Sequence, residues 1–130
     1  MRAMSMLGTG LILAAMAAPA GAQVLDRQAL AERLAACSAL FDDMARAHPE
    51  SSRVLRIQYA AKNYTSLAMR LGEKPQIGAV LGKERKAVAE RRADAAGAAA
   101  LDEAFERRDD ECNRLLEHNM ALIDSLRDGR

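Results

Sequence analysis

The sequence predicts an all-α protein, an antiparallel up-down bundle of four helices held by one disulfide. Half of the 130 residues are hydrophobic, with only 8 Gly and 3 Pro, and alanine is frequent, a composition that favours helix throughout. Apolar side chains recur at spacings of three, four and seven, which is the period of amphipathic helices. The chain has two cysteines, Cys37 and Cys112, which fall in the first and the last of these periodic segments.

The first 22 residues have the features of a cleaved secretory signal peptide. Arg2 supplies a positive charge, an apolar run extends from Leu7 to Ala18, and Ala20-Gly21-Ala22 is a small-x-small cleavage site. An uncleaved anchor is the alternative, but the uninterrupted apolar part is well short of the ~20 residues that a bilayer span needs. We therefore expect residues 23–130 to form a single helical domain of a bacterial periplasmic or secreted protein, without a transmembrane segment.

The first helix is predicted to run from Val24 to Ala47. Its apolar residues alternate at spacings of four and three, as in helices that pack against neighbours at shallow angles. These residues are Leu30, Leu34, Cys37, Phe41 and Met44. Pro49 disfavours a helical conformation at His48 and suits the first turn of the next helix, so we place the break at residues 47–50.

The second helix is predicted from Pro49 or Ser51 to Leu71, and Gly72 follows it as a C′ glycine. One apolar seam contains Val54, Ile57, Ala61, Tyr64, Ala68 and Leu71. Leu55 and Tyr59 form a second apolar pair one helical turn apart. We interpret this pair as facing the fourth helix, and the alternative is that it docks a partner or a second subunit.

The third segment has a thin apolar face and then a charged stretch, Lys83–Asp94, which we interpret as a solvated helix face. The alternative is a binding patch at Arg91-Arg92.

The number of helices depends on the segment around Gly97. Either Gly97 marks a turn, or one helix continues from Lys83 to Arg127 and the bundle has three helices. We favour the turn, because the first two helices are too short to cover so long a rod.

The last helix is predicted over Leu101–Leu126, with Cys112 near its middle. In an up-down-up-down bundle the first and last helices are antiparallel neighbours. Cys37, counted from the start of the first helix, and Cys112, counted from the end of the last helix, then lie at the same height along the bundle axis to within about one helical turn. Two cysteines in an exported chain most often form one disulfide, and we expect Cys37 to pair with Cys112.

The sequence lacks the spacings that mark common catalytic and metal sites: it has no CxxCH, no CxxC and no Glu-x-x-His pair. No catalytic residue, cofactor ligand or metal ligand is therefore predicted. His118 with Met69 is the one combination to consider for a b-type haem, and we interpret His118 as a surface residue. The acidic clusters Asp42-Asp43 and Asp109-Asp110-Glu111 are interpreted as exposed helix charge.

The balance of 19 basic and 18 acidic residues argues against nucleic acid, which requires a basic excess. The leading hypothesis is a noncatalytic module that binds another periplasmic protein, an envelope component or a second copy of itself. The alternative is a bundle that binds a small molecule or b-type haem in its core. Neither hypothesis identifies a specific partner or ligand.

Overall fold

The computed structural model describes residues 25–128; the predicted signal peptide, residues 1–22, lies outside them. Within this range the chain forms helices and no strand, and the predicted all-α class is confirmed. The helices are α1 (Arg27–Ala47), α2 (Val54–Leu71), α3 (Lys74–Arg92), α4 (Ala95–His118) and a short α5 (Met120–Arg127).

Contacts near the helix ends show how successive helices alternate in direction. The Arg27 Nε–H at the start of α1 donates to the Leu71 carbonyl at the end of α2 (3.4 Å), so these two helices are antiparallel. The Leu25 N–H donates to Asn119 Oδ1 beyond the end of α4 (2.9 Å), so α1 and α4 are antiparallel too. α1 contacts α2, α3 and α4, and α5 contacts α2 and α4.

The predicted disulfide joins Cys37 of α1 to Cys112 of α4, with 6.2 Å between their Cα atoms. Both cysteines are buried. The bond closes a loop of 75 residues and links α1 to α4 near the middle of the bundle. The pairing expected from the levels of the two cysteines is confirmed.

α1 is the central helix of the bundle. Its apolar periodicity predicted one buried stripe, but residues outside that stripe are buried as well. Alanines at 31, 35, 39 and 45 are buried in addition to the large residues of the stripe. Small side chains let neighbouring helices approach closely, and α1 accordingly contacts its diagonal partner α3 as well as α2 and α4. The buried Ser38 hydroxyl donates to the Ala61 carbonyl of α2 at 2.9 Å, and Thr65 supplies a second hydroxyl at 2.5 Å.

The aromatic core joins three helices around Phe41. The ring of Phe41 meets Tyr64 of α2 and Phe105 of α4 edge to face, with centroids 5.1 and 4.8 Å apart. Edge-to-face pairs of this kind add to the stability that burial alone gives. Burial and the nearby Asp109 carboxylate raise the pKa of Tyr64 to about 12, so its hydroxyl stays neutral. Tyr64 is a core residue, as its position in the seam predicted.

Two helices begin later than the sequence pattern predicted. α1 begins at Arg27, because Asp26 is its N-cap and accepts a hydrogen bond from the Ala29 N–H at 2.8 Å. α2 begins at Val54, so Pro49 lies in the preceding turn and not in the first turn of the helix. The turn there carries the Ser51 N–H to His48 O hydrogen bond, which Pro49 does not interrupt.

Gly72 ends α2 for a different reason from the one its position suggested. Its φ is −103°, an extended conformation open to any residue, so it is not a left-handed C′ glycine. A Cβ at this position would lie 2.8 Å from both Ala31 Cβ and Ile77 Cγ1. Glycine is required because Ala31 of α1 and Ile77 of α3 leave no space for a side chain at this turn.

The turn between α3 and α4 is confirmed, which excludes the long C-terminal helix, but it lies at Ala93–Asp94 and not at Gly97. Asp94 is the N-cap of α4 and accepts from the Gly97 N–H at 2.7 Å. A Cβ on Gly97 would lie 2.1 Å from the Arg91 carbonyl oxygen. The glycine therefore lets the end of α3 pack on the first turn of α4.

The single last helix predicted over Leu101–Leu126 is wrong, because the chain breaks at Asn119 into α4 and α5. Asn119 is buried; its Nδ2 donates to the Leu115 carbonyl at 2.9 Å, and its Oδ1 accepts from the Leu25 N–H. Asparagine side chains compete in this way with the helical hydrogen bonds of the backbone. The resulting bend directs α5 onto α2.

Removal of the disulfide should weaken the fold without changing it. We expect Cys37→Ala/Cys112→Ala to lower the free energy of unfolding by about 4 kcal/mol, because the 75-residue loop is no longer closed in the unfolded chain. Urea denaturation followed by far-UV circular dichroism measures this difference. An unchanged urea midpoint would show that the cross-link contributes nothing to stability.

Glycines in crowded and open positions should respond to alanine with opposite signs. Gly72→Ala should lower the free energy of unfolding by about 2 kcal/mol, since the new methyl group meets α1 and α3. Gly82→Ala is the matched control in the exposed middle of α3, where no atom lies within 4 Å of the new Cβ. It should raise the free energy of unfolding by about 0.5 to 1 kcal/mol. Destabilisation by both substitutions, measured by urea denaturation, would contradict this assignment.

Candidate functional site

A cluster of charged side chains joins the ends of three helices at one end of the bundle. We call Asp43, His48, Arg92 and Asp102 the loop-end ion cluster. The Nη2 atom of Arg92 in α3 donates a hydrogen bond to Asp43 Oδ2 of α1 (2.5 Å). Its Nη1 atom donates to Asp102 Oδ1 of α4 (2.8 Å). The same Asp102 oxygen lies 3.1 Å from His48 Nε2. One guanidinium therefore connects α1, α3 and α4.

Hydrogen bonds within the cluster stabilise the charged forms of Arg92 and Asp102. The hydrogen bond to Asp43 raises the pKa of Arg92 above its ordinary value, against the effect of burial. Burial opposes ionisation of Asp102, but the hydrogen bonds from Arg92 and His48 outweigh it and lower the pKa of that carboxyl. Asp43 and Arg92 are only 16% and 21% exposed, so solvent screens this pair less than a surface ion pair.

Beside the cluster lies an open cavity of about 310 Å³, which extends to the start of α2. Arg53 at its edge donates to Glu106 at 2.8 Å and lies over the Phe105 ring, 5.9 Å from its centroid. The hydrogen bond from Arg53 lowers the pKa of Glu106. The lining residues are Met44, His48, Glu50, Ser51, Arg53, Ile57, Asp102 and Glu106.

The geometry of this cavity is that of a structural ion network. The only serine in its lining, Ser51, accepts from the Arg53 backbone N–H at 3.2 Å through its hydroxyl, and among residues 25–128 no hydrogen bond joins that hydroxyl to the His48 imidazole. The hydrogen bond between His48 and Asp102 thus orients the imidazole without presenting it to a hydroxyl nucleophile. The ion pairs of Arg92 with Asp43 and Asp102 hold the ends of α1, α3 and α4 together.

The second feature is an exposed surface on α2. Leu55 and Tyr59 are 76% and 70% exposed, so the interpretation that they face the fourth helix is wrong. They point outward because the opposite side of α2 is the one packed into the core, through Ile57, Ala61 and Tyr64. We define the α2 outer face by the exposed residues of this side: Leu55, Arg56, Gln58, Tyr59, Lys62, Asn63, Ser66 and Arg70.

The other residues singled out by the sequence lie apart from these two features. His118 is exposed at the end of α4, and Met69 is half-buried on α2, in a groove with Arg27 and Leu126 whose lining does not include His118. The haem and small-molecule alternative stays a prediction. Arg92 lies on neither a solvated face nor a free patch, since it is enclosed by two carboxylates.

The acidic clusters have different surroundings. Asp43 is mostly buried against Arg92, so its interpretation as exposed charge is wrong, whereas Asp110 is exposed and pairs with Arg114 one turn away (2.8 Å). Across residues 25–128 no three His, Cys, Asp or Glu side chains are grouped so that they can hold a metal ion. None of the helices in that range combines the length and apolarity needed to cross a bilayer.

Reasoning from the sequence missed the loop-end ion cluster. Its members are 5 to 59 residues apart, and only the antiparallel packing of α1, α3 and α4 brings them together. One signal was present: Arg92, His48 and Asp102 all lie near helix ends that an up-down bundle places at the same end. The α2 outer face, by contrast, was visible as the pair Leu55 and Tyr59.

The cluster should contribute more stability at neutral than at acid pH. Because the pKa of Asp102 is lowered by folding, its contribution is present above the unfolded value near pH 4 and is lost as pH falls through the folded value. We expect Arg92→Leu to lower the free energy of unfolding by about 2 kcal/mol at about pH 7, because two carboxylates are left without their cation. The loss should be smaller at about pH 2.5, because the contribution of ionised Asp102 declines as pH falls through its lowered pKa.

Arg91→Leu is the matched control, because Arg91 is exposed and belongs to no ion pair of residues 25–128. Its effect should stay within about 0.5 kcal/mol at both pH values. Urea denaturation of the three proteins at each pH provides the comparison. Equal losses from Arg92→Leu at both pH values would mean that charge is not the cause.

Comparison of the chain with protein-family models, with curated proteins and with solved structures found no match in any of the three.

Proposed function

We propose that the protein is an exported, noncatalytic binding module of the bacterial cell envelope that docks a partner protein through the α2 outer face. The observation that carries the proposal is the exposure of Leu55 and Tyr59, one turn apart on a helix that is otherwise well packed. Export is supported by the signal-like sequence of residues 1–22 and is compatible with the disulfide between Cys37 and Cys112.

The surroundings of the apolar pair support docking. Large side chains that carry most of the energy of an interface, Tyr among them, are commonly surrounded by polar residues that exclude water. Here Leu55 and Tyr59 are flanked by Arg56, Lys62 and Asn63, all exposed. Exposed single hydrophobic residues are ordinary, but two long side chains at i and i+4 present one continuous contact.

The scaffold beneath the face is rigid. Tyr64, on the inner side of α2, packs against Phe41 of α1, and Ser38 of α1 hydrogen-bonds the Ala61 carbonyl of the same helix. α1 is in turn joined to α4 by the disulfide. A face held in this way loses little conformational entropy when it binds, which favours affinity.

Site-specific photocrosslinking in the producing cells tests the proposal. With p-benzoylphenylalanine in place of Tyr59, we expect a discrete adduct with a protein that mass spectrometry identifies. The same substitution at Arg107, exposed on α4, is the control and should give no such adduct. The identified protein, once purified, should bind the wild-type chain at least tenfold more tightly than Leu55→Ser/Tyr59→Ser, because the variant lacks the two anchors.

Two results would contradict docking at this face. The first is the absence of an adduct from position 59 together with one from position 107. The second is equal affinity of the purified partner for the wild-type chain and the double variant, provided that both have the same circular dichroism spectrum.

A further inference from the structure

The α2 outer face is basic as well as apolar, which restricts the partners that it can hold. No acidic residue occurs from position 51 to position 72, whereas the acidic and basic residues of the whole chain are nearly equal in number. The basic residues in this interval are Arg53, Arg56, Lys62 and Arg70. Arg53 pairs with Glu106, whose pKa the charge of Arg56 also lowers, but no ion pair of residues 25–128 involves Arg56 or Lys62.

The two apolar side chains lie at one end of the face, with the basic Arg56 beside them. Leu55 and Tyr59 occupy its first two turns, and Lys62 and Arg70 occupy the remainder, with the small Ser66 between them. A partner that covers the whole face must therefore offer apolar contacts at one end and negative charge along its flanks and at the other end. Complementary charges of this kind select the partner and fix its register.

We infer that the α2 outer face binds an amphipathic helix whose apolar stripe is flanked by Asp or Glu. This inference rests on the docking function proposed above and adds the chemistry of the partner. A helix fits because Leu55 and Tyr59 are spaced by one turn, so that the side chains of a helix lying along α2 can pack between and beside them. Carboxylates beside its stripe then reach Arg56 and Lys62.

A second copy of the chain fits this face less well. If two α2 outer faces met about a twofold axis, Arg56, Lys62 and Arg70 would lie close to the same residues of the other copy. Like charges brought together across an interface oppose binding. From Leu101 to the end of α4 the exposed residues, such as Glu103, Arg107 and Asp110, are all polar, so this part of the helix offers no apolar surface to Leu55 and Tyr59.

An anionic membrane fits less well too. A helix that lies in a membrane surface inserts its apolar face, and the apolar face of α2 is buried in the core through Ile57, Ala61 and Tyr64. Only Leu55 and Tyr59 remain to enter the bilayer, so membrane binding would depend almost entirely on charge.

Two synthetic helical peptides test the inference. Each has the length of α2, 18 residues, and the same leucine stripe, flanked by glutamate in one peptide and by lysine in the other. The oxidised, isotope-labelled protein is titrated with each peptide and followed by two-dimensional NMR. We expect the glutamate peptide to bind at least tenfold more tightly, with the largest shift changes at residues 55–63.

Substitutions separate the apolar from the charged contribution. Arg56→Glu/Lys62→Glu should weaken binding of the glutamate peptide at least tenfold and strengthen binding of the lysine peptide, while the fold persists. The charge-matched control on α4 is Arg107→Glu/Arg114→Glu, which should leave both affinities within about twofold because that surface is not the docking face. Leu55→Ser/Tyr59→Ser should weaken binding of either peptide.

Failure of this inference is distinguishable from failure of the proposed function. Equal affinity for the two peptides, or shift changes outside α2, overturns the acidic-helix partner, while crosslinking from position 59 still supports docking. Binding to phosphatidylglycerol vesicles without binding to the glutamate peptide overturns it in favour of a membrane. Dimer formation through α2 in light scattering, abolished by Tyr59→Ser, overturns it in favour of a second copy.

Discussion

The structure depends on the burial of α1 among the other helices. Alanines and one serine between its large residues let α2 and α3 approach closely, and Phe41 then reaches the aromatic rings of both α2 and α4. The disulfide from Cys37 holds α4 on the remaining side. Because α1 lies at the centre and contacts α2, α3 and α4, each of these helices needs only one apolar face to pack against it.

That arrangement explains the unusual distribution of charge. With α1 covered on several sides, the ends of α1, α3 and α4 converge, and their charges must be neutralised there by the Arg92 network. Among residues 25–128 no helix covers α2 at Leu55 and Tyr59, so no such network is needed there. These two apolar side chains are therefore left exposed, whereas the charges of the loop-end ion cluster join helix ends.

Much of the fold followed from local pattern. The periodicity of Leu30, Leu34, Phe41 and their counterparts located the first two helices to within a few residues, and the level of the two cysteines indicated their pairing. Boundaries were less predictable where one residue favours two conformations. Pro49 is compatible both with a turn and with the first turn of a helix. Asn119 is compatible with a helix interior, but here its amide oxygen accepts a hydrogen bond from the Leu25 N–H and the helix breaks.

By itself the sequence determined the helical class, the alternating topology and the disulfide, because these follow from apolar spacing and from the scarcity of cysteine. Tertiary packing alone decided which side of α2 stayed open, since Leu55 and Tyr59 are as apolar as core residues and only the positions of the neighbouring helices leave them exposed. It also decided that Gly72 and Gly97 must lack a side chain, because their constraint comes from atoms that are distant in sequence or belong to another helix.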